Sequence, residues 1–167
     1  MDWDWGARST YESERLGIDG TLAPIVLYDM KQPRLVEDHE VALMLGMADF
    51  LIERGLPFVG LVSHQRGTGV ISARHRKTFA DWLDTRSDAL KRDDFAVIVV
   101  VPEAIYRAVL RVVYRFRKPP IRTITAPDIP SAAEAVRAEL VRIGQPIRPE
   151  LEGFLRTLGG LSALPSA

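Results

Sequence analysis

The chain has 167 residues, with 22 basic and 22 acidic side chains, three histidines and no cysteine, and 47% of it is apolar. That length and composition suit one globular domain with a full core, and the missing cysteine excludes disulfides, thiolate catalysis and Cys-ligated zinc or iron–sulfur centres. No run reaches the ~18 apolar residues a membrane span needs, since Glu103, Arg107 and Arg111 interrupt the nearest stretch.

Residues 1–11 read as a flexible lead-in in which only Trp3 and Trp5 have cause to dock, and folding back on the body is the expected use. The opening MDWDWG lacks a basic region and an apolar segment, so it is not read as a secretory signal and a cytoplasmic protein is expected. Glu12 to Ile18 reads as a weak strand, Asp19-Gly20 as a hairpin turn, and Leu22 to Met30 as a second strand with Pro24 near its start or at an edge. Glu37 or Asp38 can cap a helix to about Arg54, whose positions Val41, Met44, Leu45, Ala48, Leu51 and Ile52 form a buried stripe. Gly55 and Pro57 stop it.

Phe58 to Ser63 is the next strand, apolar on both faces. A Gly-containing loop from Gln65 to Ile71 follows, and Ser72 caps a helix to about Lys91 with Phe79, Trp82, Leu83 and Leu90 inward and Asp81, Asp84 and Asp88 outward. Phe95 to Pro102, FAVIVVVP, is the segment that sets the fold. Its β-branched run never alternates with polar residues, so a central parallel strand fits best. Pro102 suits the first turn of a helix to about Arg117, Pro119-Pro120 breaks that helix, and Ile121 to Ala126 makes a short last strand. Ser131 is read as the cap of a helix to about Ile143, and Leu151 to Leu158 as one or two docked helical turns.

Strands alternating with helices at this spacing imply βαβ units with right-handed crossovers. The expectation is therefore α/β: a four- to five-stranded mixed sheet flanked by about four helices. One domain spans residues 12–144, followed by a tail over 145–167 that holds the short docked helix.

In an open α/β sheet, ligands sit where strand C-termini meet helix N-termini. Here those ends carry Tyr28 and Asp29, Ser63 and His64, and Pro102 and Glu103. The leading candidate is the loop Arg66, Gly67, Thr68 and Gly69 with the helix start Ser72, Arg74, Arg76 and Lys77. Glycines ahead of a helix can present N–H groups to an anion. Cations in a first turn oppose the helix dipole, at roughly 0.3–1 kcal/mol each, so a chain that keeps them there has use for something negative or simply solvates them. The loop matches neither G-x-x-x-x-G-K-[ST] nor G-x-G-x-x-G.

A second basic surface is the i, i+4 row Arg107, Arg111 and Arg115, for which a solvated face is the plainer reading. Charge is uneven along the chain, net −6 over residues 1–57 and +7 over 58–122, which permits an anionic partner or self-association, although the plainer reading is that the two halves interleave and the field largely cancels. The neutral total and the absence of a binding motif argue against nucleic acid. His39, His64 and His75 lack ligand spacing, so no metal is expected, and no cofactor is called for. Ser63 and His64 are adjacent in a strand and point to opposite faces, so they do not make a nucleophile–base pair. Acid–base work by Asp29 with His64 stays as a lesser alternative.

Several of these segments resemble the SpoIIAA-like, or STAS, family of sulfate-transporter and anti-sigma-factor-antagonist domains. The likeness covers about residues 20–143 and is carried by IVLYDM, EVALMLGMADFLIERGLPF, FVGLVS, RKTFADWLDTRSDALKR, FAVIVVVPEAIYRAVLRVVYRF, IRTITA and IPSAAEAVRAEL. It implies a single STAS-like domain, non-enzymatic and regulatory, that docks another protein. In the sporulation antagonists a serine or threonine at the start of the helix after the third strand is phosphorylated to switch docking. Ser72 and Thr68 occupy that region here and are the candidate phosphoacceptors, although the Asp-Ser-Ser-Gly motif is absent. The departure suits the broader SpoIIAA-like branch. The alternative is a small anionic-ligand or lipid-binding domain, with an apolar pocket beneath Arg107 and Arg111.

Overall fold

Six strands join in one mixed sheet, and the reason lies in where the chain alternates and where it does not. The computed structural model describes residues 4–31, 37–64, 72–104, 107 and 120–160. The strands are β1 (Thr10–Glu12), β2 (Leu16–Asp19), β3 (Ile25–Met30), β4 (Phe58–His64), β5 (Phe95–Val100) and β6 (Arg122–Ala126), hydrogen-bonded in that order. The pairs β1–β2 and β2–β3 are antiparallel, and β3–β4, β4–β5 and β5–β6 are parallel. Five helices are described: α1 (Asp38–Glu53), α2 (Ala73–Thr85), α3 (Ser87–Leu90), α4 (Ile129–Arg142) and α5 (Pro149–Gly160). None is long and apolar enough to cross a membrane.

The strands β3, β4 and β5 divide their side chains between two cores. Val26, Tyr28, Phe58 and Phe95 pack with α1 and α2, whereas Ile25, Val59, Leu61, Ile98 and Val100 pack with α4 and α5. Parallel strands laid down in one direction, joined by right-handed crossovers, place their crossover helices on a single face. That accounts for α1 and α2 sharing a side and leaves the other to α4 and α5. The β5 segment lies between β4 and β6, as its β-branched run requires. Its α4 face is fully buried at Ala96, Ile98 and Val100, while Val97 and Val99 on the α1–α2 face are half-buried.

The sheet has one strand more than expected because the segment read as a single strand from Glu12 to Ile18 is two. A serine makes the break. The Ser13 Oγ accepts from the backbone N–H of Arg15 at 3.1 Å and of Leu16 at 3.0 Å, and it lies 2.6 Å from the buried carboxylate of Glu40. A side chain that replaces backbone hydrogen bonds closes the turn without glycine.

The lead-in is correspondingly built into the fold: β1 lies within it, and Trp5 is buried against Gly46 of α1. This extra wall rotates the stripe of α1. Val41, Ala48 and Leu51 are buried as expected and Leu43 and Met47 are buried with them, whereas Met44, Leu45 and Ile52 are only partly so. The helix begins at a capping box, in which the Glu40 side chain accepts from the backbone N–H of Glu37 at 2.9 Å.

Three further boundaries differ from expectation. The helix read from Ser72 to Lys91 breaks at Arg86 into α2 and α3, with Leu90 buried at the end of α3. The cap of α4 is Asp128 rather than Ser131: its carboxylate accepts from the Ser131 N–H at 2.7 Å, and Pro130 sits in the first turn. The short helix expected in the tail runs twelve residues, and Leu151, Leu155 and Leu158 bury it against the α4 side. Arg137 of α4 also pairs with Glu152 of α5 at 3.1 Å.

The cap yields a measurable effect. Hydrogen bonds from the Ser131 side chain and backbone, with a smaller contribution from the charge of Arg107, hold the Asp128 carboxyl below the usual aspartate range. A carboxyl depressed in the folded state contributes stability above its unfolded pKa, and that contribution is lost as pH falls through the folded value. Asp128→Ala should therefore lower stability by about 0.5–2 kcal/mol at neutral pH. In urea titrations the gap between variant and parent should close as the solution is acidified below about pH 4.

Candidate functional site

Both α1 and α2 begin at the C-terminal rim of the parallel strands, and their first turns meet there. Ser72 caps α2, its Oγ accepting from the His75 N–H at 3.0 Å. Asp38, the first residue of α1, holds two side chains of the α2 start. One carboxylate oxygen lies 2.8 Å from the Arg74 guanidinium, and the other 2.9 Å from the His75 Nε2. His75 is 7% exposed, and its buried Nδ1 has no hydrogen-bond partner among the described residues. A proton on Nδ1 would bury an unpaired donor, so the favoured neutral tautomer carries it on Nε2 and donates to Asp38.

The remaining cations of this turn are held more loosely. Lys77 pairs with Asp81 one turn along at 2.5 Å, and both side chains are largely exposed. Arg76 is exposed too. Farther along, Asp49 of α1 accepts from the Trp82 indole at 3.0 Å and from Arg86 Nε at 2.8 Å, and this raises the pKa of Arg86. Two acids of α1, Asp38 and Asp49, thus pin α2 along its length.

The other expected site residues fare differently. Arg66, Gly67, Thr68 and Gly69 lie outside the described residues, as do Arg111 and Arg115 and most of the helix expected after Pro102. Arg107 is half-buried and turned back on the strand end, its guanidinium donating to the Val101 carbonyl at 2.6 Å and to that of Pro102.

Tyr28 is a core residue. Its hydroxyl donates to the Met44 carbonyl at 3.4 Å, and burial pushes the phenol well above its usual range. In the parallel register Asp29 is opposite Ser63, and His64 is opposite Met30. Asp29 and His64 occupy consecutive rungs, so the register does not set them side by side. Ser63 is 2% exposed, and its Oγ has no hydrogen-bond partner among the described residues. Among the described residues no three His, Asp or Glu side chains are grouped to hold a metal ion.

The contribution of Asp38 escaped the sequence reading, which took it only as a candidate cap. The available signal was topological: two helices that start from neighbouring parallel strands start at the same rim. Compared with protein-family models and with curated proteins, the chain matches none.

Proposed function

We propose that this chain is a non-enzymatic regulatory module of the SpoIIAA-like kind, which docks a partner protein through the start of α2. The observation that carries the reading is the placement of Arg74, Arg76 and Lys77 in one exposed turn at the strand C-terminal rim, where open α/β sheets bind. Arg74 and Lys77 keep 78% and 75% of their side chains exposed, so a partner can reach both although each is paired to an acid of this chain. The N–H groups of the same turn and the helix dipole favour a negative group beside Ser72. Ser72 is the candidate phosphoacceptor that the described residues include. A phosphate there would bring charge to a helix N-terminus flanked by arginines, which favours it locally and alters what a partner meets.

The test is affinity capture from the native cell with mass spectrometry, followed by the double variant Arg74→Glu/Arg76→Glu. Reversing two rim charges should weaken the captured complex by on the order of tenfold or more and flatten its salt dependence. If every captured partner is retained at unchanged affinity, docking does not use this turn.

A further inference from the structure

We infer that Asp38 is a built-in competitor for the acidic group that the start of α2 receives from a partner protein. The inference rests on the docking reading above and concerns its regulation. In this structure the anion position of the turn is already filled, because the Asp38 carboxylate gives one oxygen to Arg74 at 2.8 Å and the other to His75 at 2.9 Å. It is a carboxylate in the place where a partner's carboxylate would bind, and it satisfies a guanidinium and a buried imidazole donor together.

Three features make that occupancy exchangeable. Asp38 is 54% exposed and Arg74 78% exposed, so solvent reaches the pair and its strength is that of a surface ion pair. The start of α1 does not depend on Asp38, since the capping box of Glu37 and Glu40 supplies its cap. The third is His75, whose side chain is only 9% exposed. Once Asp38 swings out, its Nε2–H needs a new acceptor, and that requirement selects an incoming group which can bridge both donors as a carboxylate does. Asp38 therefore weakens every incoming acid by the worth of one surface ion pair, and an acidic segment that also reaches the exposed Arg76 and Lys77 offsets that cost.

The measurement is a titration of the full chain with a hexaglutamate peptide, followed through the amide resonances of Ala73 to Lys77, for wild type, Asp38→Asn and Asp88→Asn. Asp38→Asn should bind roughly fivefold more tightly, the equivalent of one exposed ion pair. Asp88→Asn removes the same charge from α3, where Asp88 pairs with Lys91 and with none of the docking cations, and should change affinity far less. In the wild type, binding should also shift the His75 Nε2 resonance, a readout that holds even if Asp38→Asn does not fold. Equal affinity of wild type and Asp38→Asn overturns the inference and leaves the docking reading standing. Equal tightening by Asp88→Asn, or saturation without a shift at His75, overturns it as well. Binding by none of the three proteins overturns the docking reading and the inference together.

Discussion

Phe95→Ala should destabilise the protein by about 3–5 kcal/mol, read as a lowered urea midpoint with an unchanged slope. Phe95 is 1% exposed, and its register partner on β4 is Phe58, itself 2% exposed. The two rings lie 5.1 Å apart with their planes tilted by 44°, and the Arg92 guanidinium sits 5.5 Å from the Phe95 centroid. Truncation removes the transfer free energy of a full aromatic side chain. It also opens a cavity in a wall formed by two strands that cannot move together without breaking their ladder, and it removes an aromatic pair worth about 0.5–1.5 kcal/mol. Val97, two residues farther along the same face, is only half-buried. Val97→Ala should therefore cost clearly less, on the order of 1 kcal/mol. If the two variants lose the same amount, the α1–α2 face is not sealed at Phe95 as the geometry requires.

The strong signals in the sequence were those in which local chemistry and tertiary packing agree. The β-branched run of β5, the 3/4 spacing of α1 and the Gly55 stop, which takes φ of +65°, each point to one conformation. The misreadings arise where a side chain substitutes for a usual signal. Glu14-Arg15 does not look like a hairpin loop, yet Ser13 closes it by accepting from two backbone donors. Ser131 looks like a cap, but Pro130 in the first turn means that the cap is farther upstream, at Asp128. The inner face of α1 was read correctly at Val41, Ala48 and Leu51 but without Leu43 and Met47, and part of the wall it meets, Trp5 against Gly46, comes from more than forty positions away.

The candidate site shows the same division. Its cations were legible because they are consecutive, but their partner was not, since His75 and Asp38 are 37 positions apart and meet only through the order of the strands. Arg107 illustrates the opposite error. Helical spacing placed it in a row facing outward, whereas its guanidinium turns back to the carbonyls of Val101 and Pro102, where the β5 ladder ends and acceptors are left over. Spacing tells which side chains share a face. It does not tell which of them find a nearer acceptor.

The largest electrostatic effect should come from the opposite end of the sheet. Glu139 of α4 is 3% exposed and is held by Arg122 of β6, whose Nε lies 3.0 and 3.1 Å from its two oxygens, and by Arg142 Nε at 2.6 Å. Arg142 also donates to the Asp93 carbonyl at 2.6 Å, so this one carboxylate ties α4 to β6 and to the turn before β5. The arrangement is unequal in its risks. The arginine side chains are 55% and 27% exposed and can turn to water, but the carboxylate cannot. Arg122→Met/Arg142→Met leaves a buried charge unpaired and should lose about 3–5 kcal/mol. Glu139→Met should lose no more than about 1–2 kcal/mol, because both cations regain solvent while the methionine fills the space. The triple variant should recover most of what the arginine pair loses, since an apolar replacement of a whole buried ionic group is often nearly neutral. Urea unfolding of the four proteins decides it. An arginine double variant no less stable than Glu139→Met would mean that water reaches this carboxylate in solution and that its burial does not control the stability of α4.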